Sequence, residues 1–210
     1  MNRVRVKICG LTRAEDARCA LRSGASYLGF IFAESPRRVR PEEIAPWVDE
    51  LREEAELVGV FRDQTPQEVA QIVEALDLDL VQLHGSESGD AWRQLPVRVI
   101  EARAVSEKGV APSRLQDTAW ATLLDSVSQK GGGSGQTFPW RHAVAPAKRN
   151  RIFLAGGLTP ANVGEAIARV QPFAVDVSSG VESAPGHKDP AKLAAFVQAV
   201  RACDEGRNQR

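Results

Sequence analysis

Several short stretches of this sequence set reactive side chains beside glycines: Lys7-Ile8-Cys9-Gly10, Ser35-Pro36-Arg37, Gln82-Leu83-His84-Gly85, Leu124-Asp125-Ser126, Ala155-Gly156-Gly157 and Asp176-Val177-Ser178-Ser179-Gly180. Cys9 offers a thiol that becomes a base or nucleophile once ionised, and a free thiol titrates near pH 8.5, so it needs help from its surroundings. A cysteine is also a small inert hydrophobe, a description that fits Cys19 and Cys203. Asp125 follows the apolar run Thr122-Leu123-Leu124, where partial burial would raise its pKa toward that of a useful acid. Read alone, it serves equally well as a helix or turn cap. Arg37 carries the planar fork that clamps a carboxylate, although Arg38 and Arg40 beside it also fit a plain basic loop. His84 is an acid, a base or a structural histidine.

Two of the stretches have the chemistry of a phosphate cup. Ala155-Gly156-Gly157-Leu158 leads into a helix start at Thr159, and Ser178-Ser179-Gly180 brings hydroxyls, amides and a glycine that permits close approach. The competing reading is that these glycines only make tight turns. The run Gly131-Gly132-Gly133-Ser134-Gly135-Gln136-Thr137-Phe138 is not a Walker loop, since Gln136 stands where that loop needs lysine. It reads as a flexible linker or as a loop that closes over a substrate. No His, Asp, Glu or Cys cluster has metal-ligand spacing, so neither a metal nor another cofactor is expected.

The elements that must position these groups alternate. Short β-branched runs at Val4–Ile8, Tyr27–Phe32, Leu57–Phe61, Leu80–Leu83, Val97–Ala102, Ala121–Leu124, Ile152–Leu154 and Ala174–Val177 predict about eight strands. Between them lie amphipathic helices, with apolar positions recurring at three and four over 66–76, 161–170 and 190–202. Thr12-Arg13-Ala14-Glu15 and Thr65-Pro66-Gln67-Glu68 have capping-box spacing. Thr159-Pro160 and Asp189-Pro190 place a capping side chain before proline. Ser106–Asp117 is weakly patterned, which predicts a short or irregular fifth helix, and the polar tail Asp204–Arg210 is expected to fray.

Parallel strands with crossover helices form either an open doubly wound sheet or a closed barrel, and eight units within 210 residues favour a (βα)8 TIM barrel of the α/β class. One domain spanning 1–203 is expected, with 204–210 as a tail. In that fold chemistry sits where strands end in their following loops, which is where all the stretches above fall. Lys plus Arg and Asp plus Glu both number 27, so no charge excess marks a nucleic-acid partner. No apolar run reaches spanning length and no signal-peptide core opens the chain, which predicts a cytoplasmic protein without membrane contact.

Taken in order with Gly29-Phe30, Gly59-Val60-Phe61 and the continuation Val181-Glu182, these motifs closely resemble phosphoribosylanthranilate isomerases of tryptophan biosynthesis, from Val4 to about Phe196. The resemblance implies an Amadori rearrangement without a cofactor. Asp125 would protonate the furanose ring oxygen and Cys9 would take the C2 proton of the resulting Schiff base. It further implies that Arg37 holds the anthranilate carboxylate and that Asp176, with His84, orients the bridging amine. Gly156, Gly157, Ser178, Ser179 and Gly180 would hold the phosphate. The expected partner is the small phosphosugar substrate, bound by a monomer or homodimer. The fifth strand carries Glu101 where such isomerases usually have lysine, so no site residue is assigned there. Two rivals are a related aminoaldose-phosphate isomerase of histidine biosynthesis, whose relatives generally use two aspartates, and a non-catalytic phosphate-binding barrel.

Overall fold

Successive residues of a strand point to opposite faces, so a sheet closed into a barrel sorts its residues into an interior set and a helix-facing set. The computed structural model, which describes residues 3–115, 118–126 and 137–208, shows this sorting in every strand. The elements run β1 (Arg5–Cys9), α1 (Ala14–Ser23), β2 (Tyr27–Ile31), α2 (Pro41–Val48), β3 (Glu56–Phe61), α3 (Pro66–Leu76), β4 (Leu80–Leu83), β5 (Arg98–Ser106), β6 (Gly109–Val110) and β7 (Ala121–Ser126). They continue with α4 (Arg141–Ala147), β8 (Ile152–Leu154), α5 (Val163–Val170), β9 (Ala174–Val177), β10 (Glu182–Ala184), β11 (His187–Lys188) and α6 (Pro190–Asn208). Eight strands, β1–β5 and β7–β9, are parallel neighbours in the order β4-β3-β2-β1-β9-β8-β7-β5, and β4 pairs with β5 to close the (βα)8 barrel.

The interior set is a buried cluster of Tyr27, Val58, Leu80, Ile100, Ala102, Ala121, Leu123, Phe153, Ala155 and Ala174. Tyr27 and Phe153 meet edge to face at 5.2 Å and fill its lower part. The opposite alternation, with Val6, Ile8, Leu28, Phe30, Val81, Leu83, Leu124 and Val175, packs against the helices in a second, larger cluster. Strand β1 puts no apolar residue into the interior cluster and carries Lys7 there instead, fully buried.

Helix starts differ in how closely they follow their caps. At Thr65 the capping box forms, with Glu68 N donating to Thr65 Oγ1 and Thr65 N to Glu68 Oε2. Asp189 likewise accepts from Ala191 N and Lys192 N. Thr12, in contrast, does not cap α1, which starts from Arg13. Its hydroxyl instead donates to Gly186 O at 2.7 Å, tying the first loop to the last. After β8 the cap is Asn162 rather than Thr159, whose own N–H donates to the Asn162 side chain.

In place of the short or irregular fifth helix, the connection after β5 is a lengthened strand that turns back antiparallel as β6, followed by an irregular segment. Glu101 explains this. It is buried on the helix-facing side of β5 and accepts from Ser113 Oγ at 2.7 Å and Arg114 N at 2.6 Å, which holds the connection in a non-helical path. The connection from β4 to β5 contains only a short 3-10 turn, Asp90–Gln94, with Trp92 buried. Helix α6 passes through the expected start of the polar tail, because Asp204 accepts from Val4 N and fastens the helix to the first strand. Residues 131–136 of the glycine-rich stretch lie outside the described residues, while Phe138 is buried.

Candidate active site

The carboxyl end of the barrel replaces the apolar interior with polar groups. Because β1 remains extended to Cys9, alternation brings Lys7 and Cys9 onto the same inward face. The register pairs Cys9 with Gly29 and Lys7 with Asp176. Lys7 Nζ reaches Asp176 Oδ1 at 2.7 Å. Gly29 gives these side chains their room, since a Cβ there would lie 3.0 Å from Cys9 Sγ and 3.2 Å from Lys7 Nζ. Burial pushes the Cys9 thiol up, and Lys7 beside it works in the opposite sense by favouring the thiolate. Burial alone would discharge Lys7, but Asp176 and Cys9 outweigh it and hold the ammonium.

Asp125 ends the inward face of β7, where burial, assisted by the charge of Asp176, pushes its carboxyl up to about 6. Ser126 N donates to Asp125 Oδ1 at 2.7 Å and limits the rise. His84 Nε2 lies 3.7 Å from Asp125 Oδ2. Burial and the neighbouring Lys7 lower the His84 pKa to about 4, so its imidazole is neutral at neutral pH. Gln82 Nε2 lies 3.0 Å from His84 Nδ1, a contact that holds the ring with its Nε2 edge toward Asp125. Gln82 Oε1 and Ser178 Oγ are buried with no hydrogen-bond partner among the described residues. Both residues line the same cavity of about 140 Å³ as Cys9, Arg37, His84, Asp125 and Asp176.

Arg37 faces this cavity from the loop after β2, whereas Arg38 turns outward to Glu34. Its Nε and Nη2 donate to Glu182 Oε1 and Oε2 at 2.8 and 2.7 Å. Glu182 opens the β10–β11 hairpin, and its strand partner Lys188 places Nζ 2.7 Å from Glu182 Oε1. The glycine junctions converge beside this assembly. Gly156 and Gly157 both adopt positive φ, 82° and 63°, a conformation that favours glycine. At Gly180 a Cβ would fall 1.9 Å from Leu158 O, so glycine is what lets the loop after β9 touch the loop after β8. Ser179 and Gly180 lie in the 3-10 turn that follows β9.

The fold therefore gathers Cys9, Arg37, His84, Asp125, Asp176 and Ser178 around one cavity, with Gly156, Gly157, Ser179 and Gly180 in the adjoining loops. Sequence reasoning left Lys7 without a role and assigned none to Gln82, Glu182 or Lys188. Lys7, Gln82 and Glu182 each stand two residues from a named residue, Cys9, His84 and Gly180, which is a periodic signal, whereas Lys188 is reached only through its strand pairing with Glu182. A larger cavity of about 380 Å³ opens at the amino-terminal end of the barrel, lined by Arg3, Arg5, Phe173 and Arg201, away from all of these groups. Among the described residues no group of three or more His, Cys, Asp or Glu is placed to hold a metal ion.

Residues 6–199 match the family model described as N-(5'-phosphoribosyl)anthranilate (PRA) isomerase. A Geobacter sulfurreducens protein named N-(5'-phosphoribosyl)anthranilate isomerase is 46% identical over 201 residues, covering 94% of this chain and 98% of that one. The phosphoribosyl anthranilate isomerase of Thermus thermophilus superposes with a TM-score of 0.84 at 40% identity, over 95% of this chain and 99% of the other. A phosphoribosyl anthranilate isomerase in complex with reduced 1-(o-carboxyphenylamino)-1-deoxyribulose 5-phosphate superposes with a TM-score of 0.81 at 36% identity, over the same shares.

Proposed function

This chain belongs to the PRA isomerase family, and from that membership we propose that Cys9 and Asp125 are the base and the acid of its reaction. It is a cofactor-independent isomerase of tryptophan biosynthesis, converting N-(5-phosphoribosyl)anthranilate to 1-(2-carboxyphenylamino)-1-deoxyribulose 5-phosphate in an Amadori rearrangement. The observation that carries the assignment is the sharing of one cavity by a carboxyl held up to about 6 and a thiol beside a buried ammonium.

Asp125, in its protonated form, gives its proton to the furanose ring oxygen as the bond from that oxygen to C1 breaks and the nitrogen lone pair closes a protonated Schiff base. The cationic nitrogen acidifies C2, and the Cys9 thiolate removes the C2 proton to leave an enolamine. The enol then loses its hydroxyl proton while C1 gains one, and the aminoketose results. Asp176 Oδ1 is engaged by Lys7, and its second oxygen is the acceptor for the bridging N–H, with His84 alongside. Arg37 holds the anthranilate carboxylate, and Gly156, Gly157, Ser178, Ser179 and Gly180 hold the phosphate. Fixing both ends of the substrate sets the reacting carbons between acid and base. The protein acts on this small molecule in the cytoplasm, as a monomer or homodimer.

Cys9→Ser and Asp125→Asn test the roles. Each should lower kcat by about 10²-fold or more, followed as loss of substrate fluorescence, with an unchanged far-ultraviolet spectrum. Ordinary turnover in either variant removes that residue from its role.

A further inference from the structure

The group proposed to hold the substrate carboxylate is not a free arginine. One edge of Arg37, Nε–H with one Nη2–H, is already spent on Glu182, which leaves the second Nη2–H and the two Nη1–H as its remaining donors. Glu182 in turn lies between two cations, with Lys188 Nζ on the same oxygen that Arg37 Nε uses. The side chains are nearly dry, at 12% exposure for Arg37, 5% for Glu182 and 0% for Lys188. Burial would push Glu182 up, but Arg37 and Lys188 hold its carboxyl below the usual range, so it stays ionised.

One carboxylate is shared between two basic side chains in a poorly solvated place, where burial and the neighbouring Arg37 push the Lys188 pKa down, so the bidentate pair with Arg37 is the main engagement of Glu182. The cluster is also rigidly mounted. Lys188 N donates to Asp16 Oδ2 at 3.0 Å, and Asp16 is in turn held by Arg13. Under Arg37, Gly10 has φ +71°, and a Cβ there would lie 2.6 Å from Arg37 Cδ, so the stem of the arginine lies directly on the backbone of the first loop. We propose that Glu182 is a positioning residue for substrate recognition: it clamps one edge of Arg37 so that the remaining Nη1–Nη2 edge is presented to the anthranilate carboxylate. The proposal rests on the carboxylate-binding role of Arg37.

Steady-state kinetics of the full chain carrying Glu182→Gln, Glu182→Asp or Arg37→Met test it, with two inhibitors as probes. One is the reduced carboxyphenylamino-deoxyribulose phosphate, which has both the carboxylate and the phosphate. The other is ribulose 5-phosphate, which lacks the carboxylate. In Glu182→Gln, KM and the inhibition constant of the first probe should rise about tenfold, a loss on the scale of one charge-assisted hydrogen bond. The constant for ribulose 5-phosphate and kcat should stay within about twofold. Glu182→Asp keeps the charge and the fold and should lie between wild type and Glu182→Gln. A raised KM in Arg37→Met with wild-type values in both Glu182 variants overturns the positioning role alone. A wild-type KM in Arg37→Met overturns the carboxylate reading and this proposal with it. Equal losses for both probes would reduce Glu182 to a structural part and also overturn it.

Discussion

Asp125 and His84 share one wall of the cavity and shift in opposite directions, because burial disfavours the charged form of each. Asp125 moves from 3.8 to about 6, so between those values the folded protein keeps a proton that the unfolded chain has lost, and this contribution to stability falls as pH rises. His84 moves from 6.5 to about 4, so over its window the unfolded chain holds the extra proton, and its contribution rises with pH. In the wild-type protein the two slopes largely cancel. In Asp125→Asn, unfolding midpoints in urea should therefore climb from about pH 4 to 6.5, and in His84→Gln they should decline from about pH 4 to 6, each by up to about 3 kcal/mol. Flat curves in both variants would show that neither group is desolvated as described. That Cys9 and Asp125 lie at the carboxyl ends of strands was legible in the sequence from the apolar runs that precede them. Lys7 was harder to place, since its partner Asp176 stands 169 positions away and only the β1–β9 register joins them.

The two glycine junctions meet where Gly180 lies against Leu158 O. Gly180→Ala forces the loops after β8 and β9 apart and should cost about 1–3 kcal/mol of stability together with a raised KM. Thermal unfolding and kinetics on one preparation check both. A variant with wild-type KM would show that the contact between these loops does not shape the proposed phosphate site. The strands were readable from β-branched runs, and seven of the barrel strands fall close to where the pattern put them, while β5 outruns its expected end. Helices were less legible where a side chain was drawn off by a distant partner. Thr12 has the spacing of a cap but bonds to Gly186, and Glu101, buried behind β5, holds its connection away from the helical path. Neither partner lies within the local window from which a helix start is read.

At the scale of the whole molecule the barrel has two ends with different work. At one, Tyr27, Phe153, Phe173 and Trp120 pack edge to face or tilted against one another as an aromatic floor, with Arg5 over Phe173 and Arg98 over Trp120. At the other, polar groups line the cavity. Eight strand–helix units in a short chain favour closure, whereas the seams, β4 to β5 and β1 to β9, are set by strand pairing that no local pattern encodes.

The Lys7–Asp176 pair crosses one such seam, and this gives the enzyme a timetable. The loop that must be closed to form it is nearly the length of the chain, and contacts of that span are reached late on a folding route. Helices and neighbouring strand pairs can form before it, but Cys9 and Lys7 then lack the Asp176 side of the cavity that closure of β1 on β9 brings to them. In refolding from urea, far-ultraviolet ellipticity should return ahead of turnover, with activity appearing in the final phase. Simultaneous recovery would place the joining of first and last strands early instead. Turnover thus reports the completion of the ring rather than the presence of its parts.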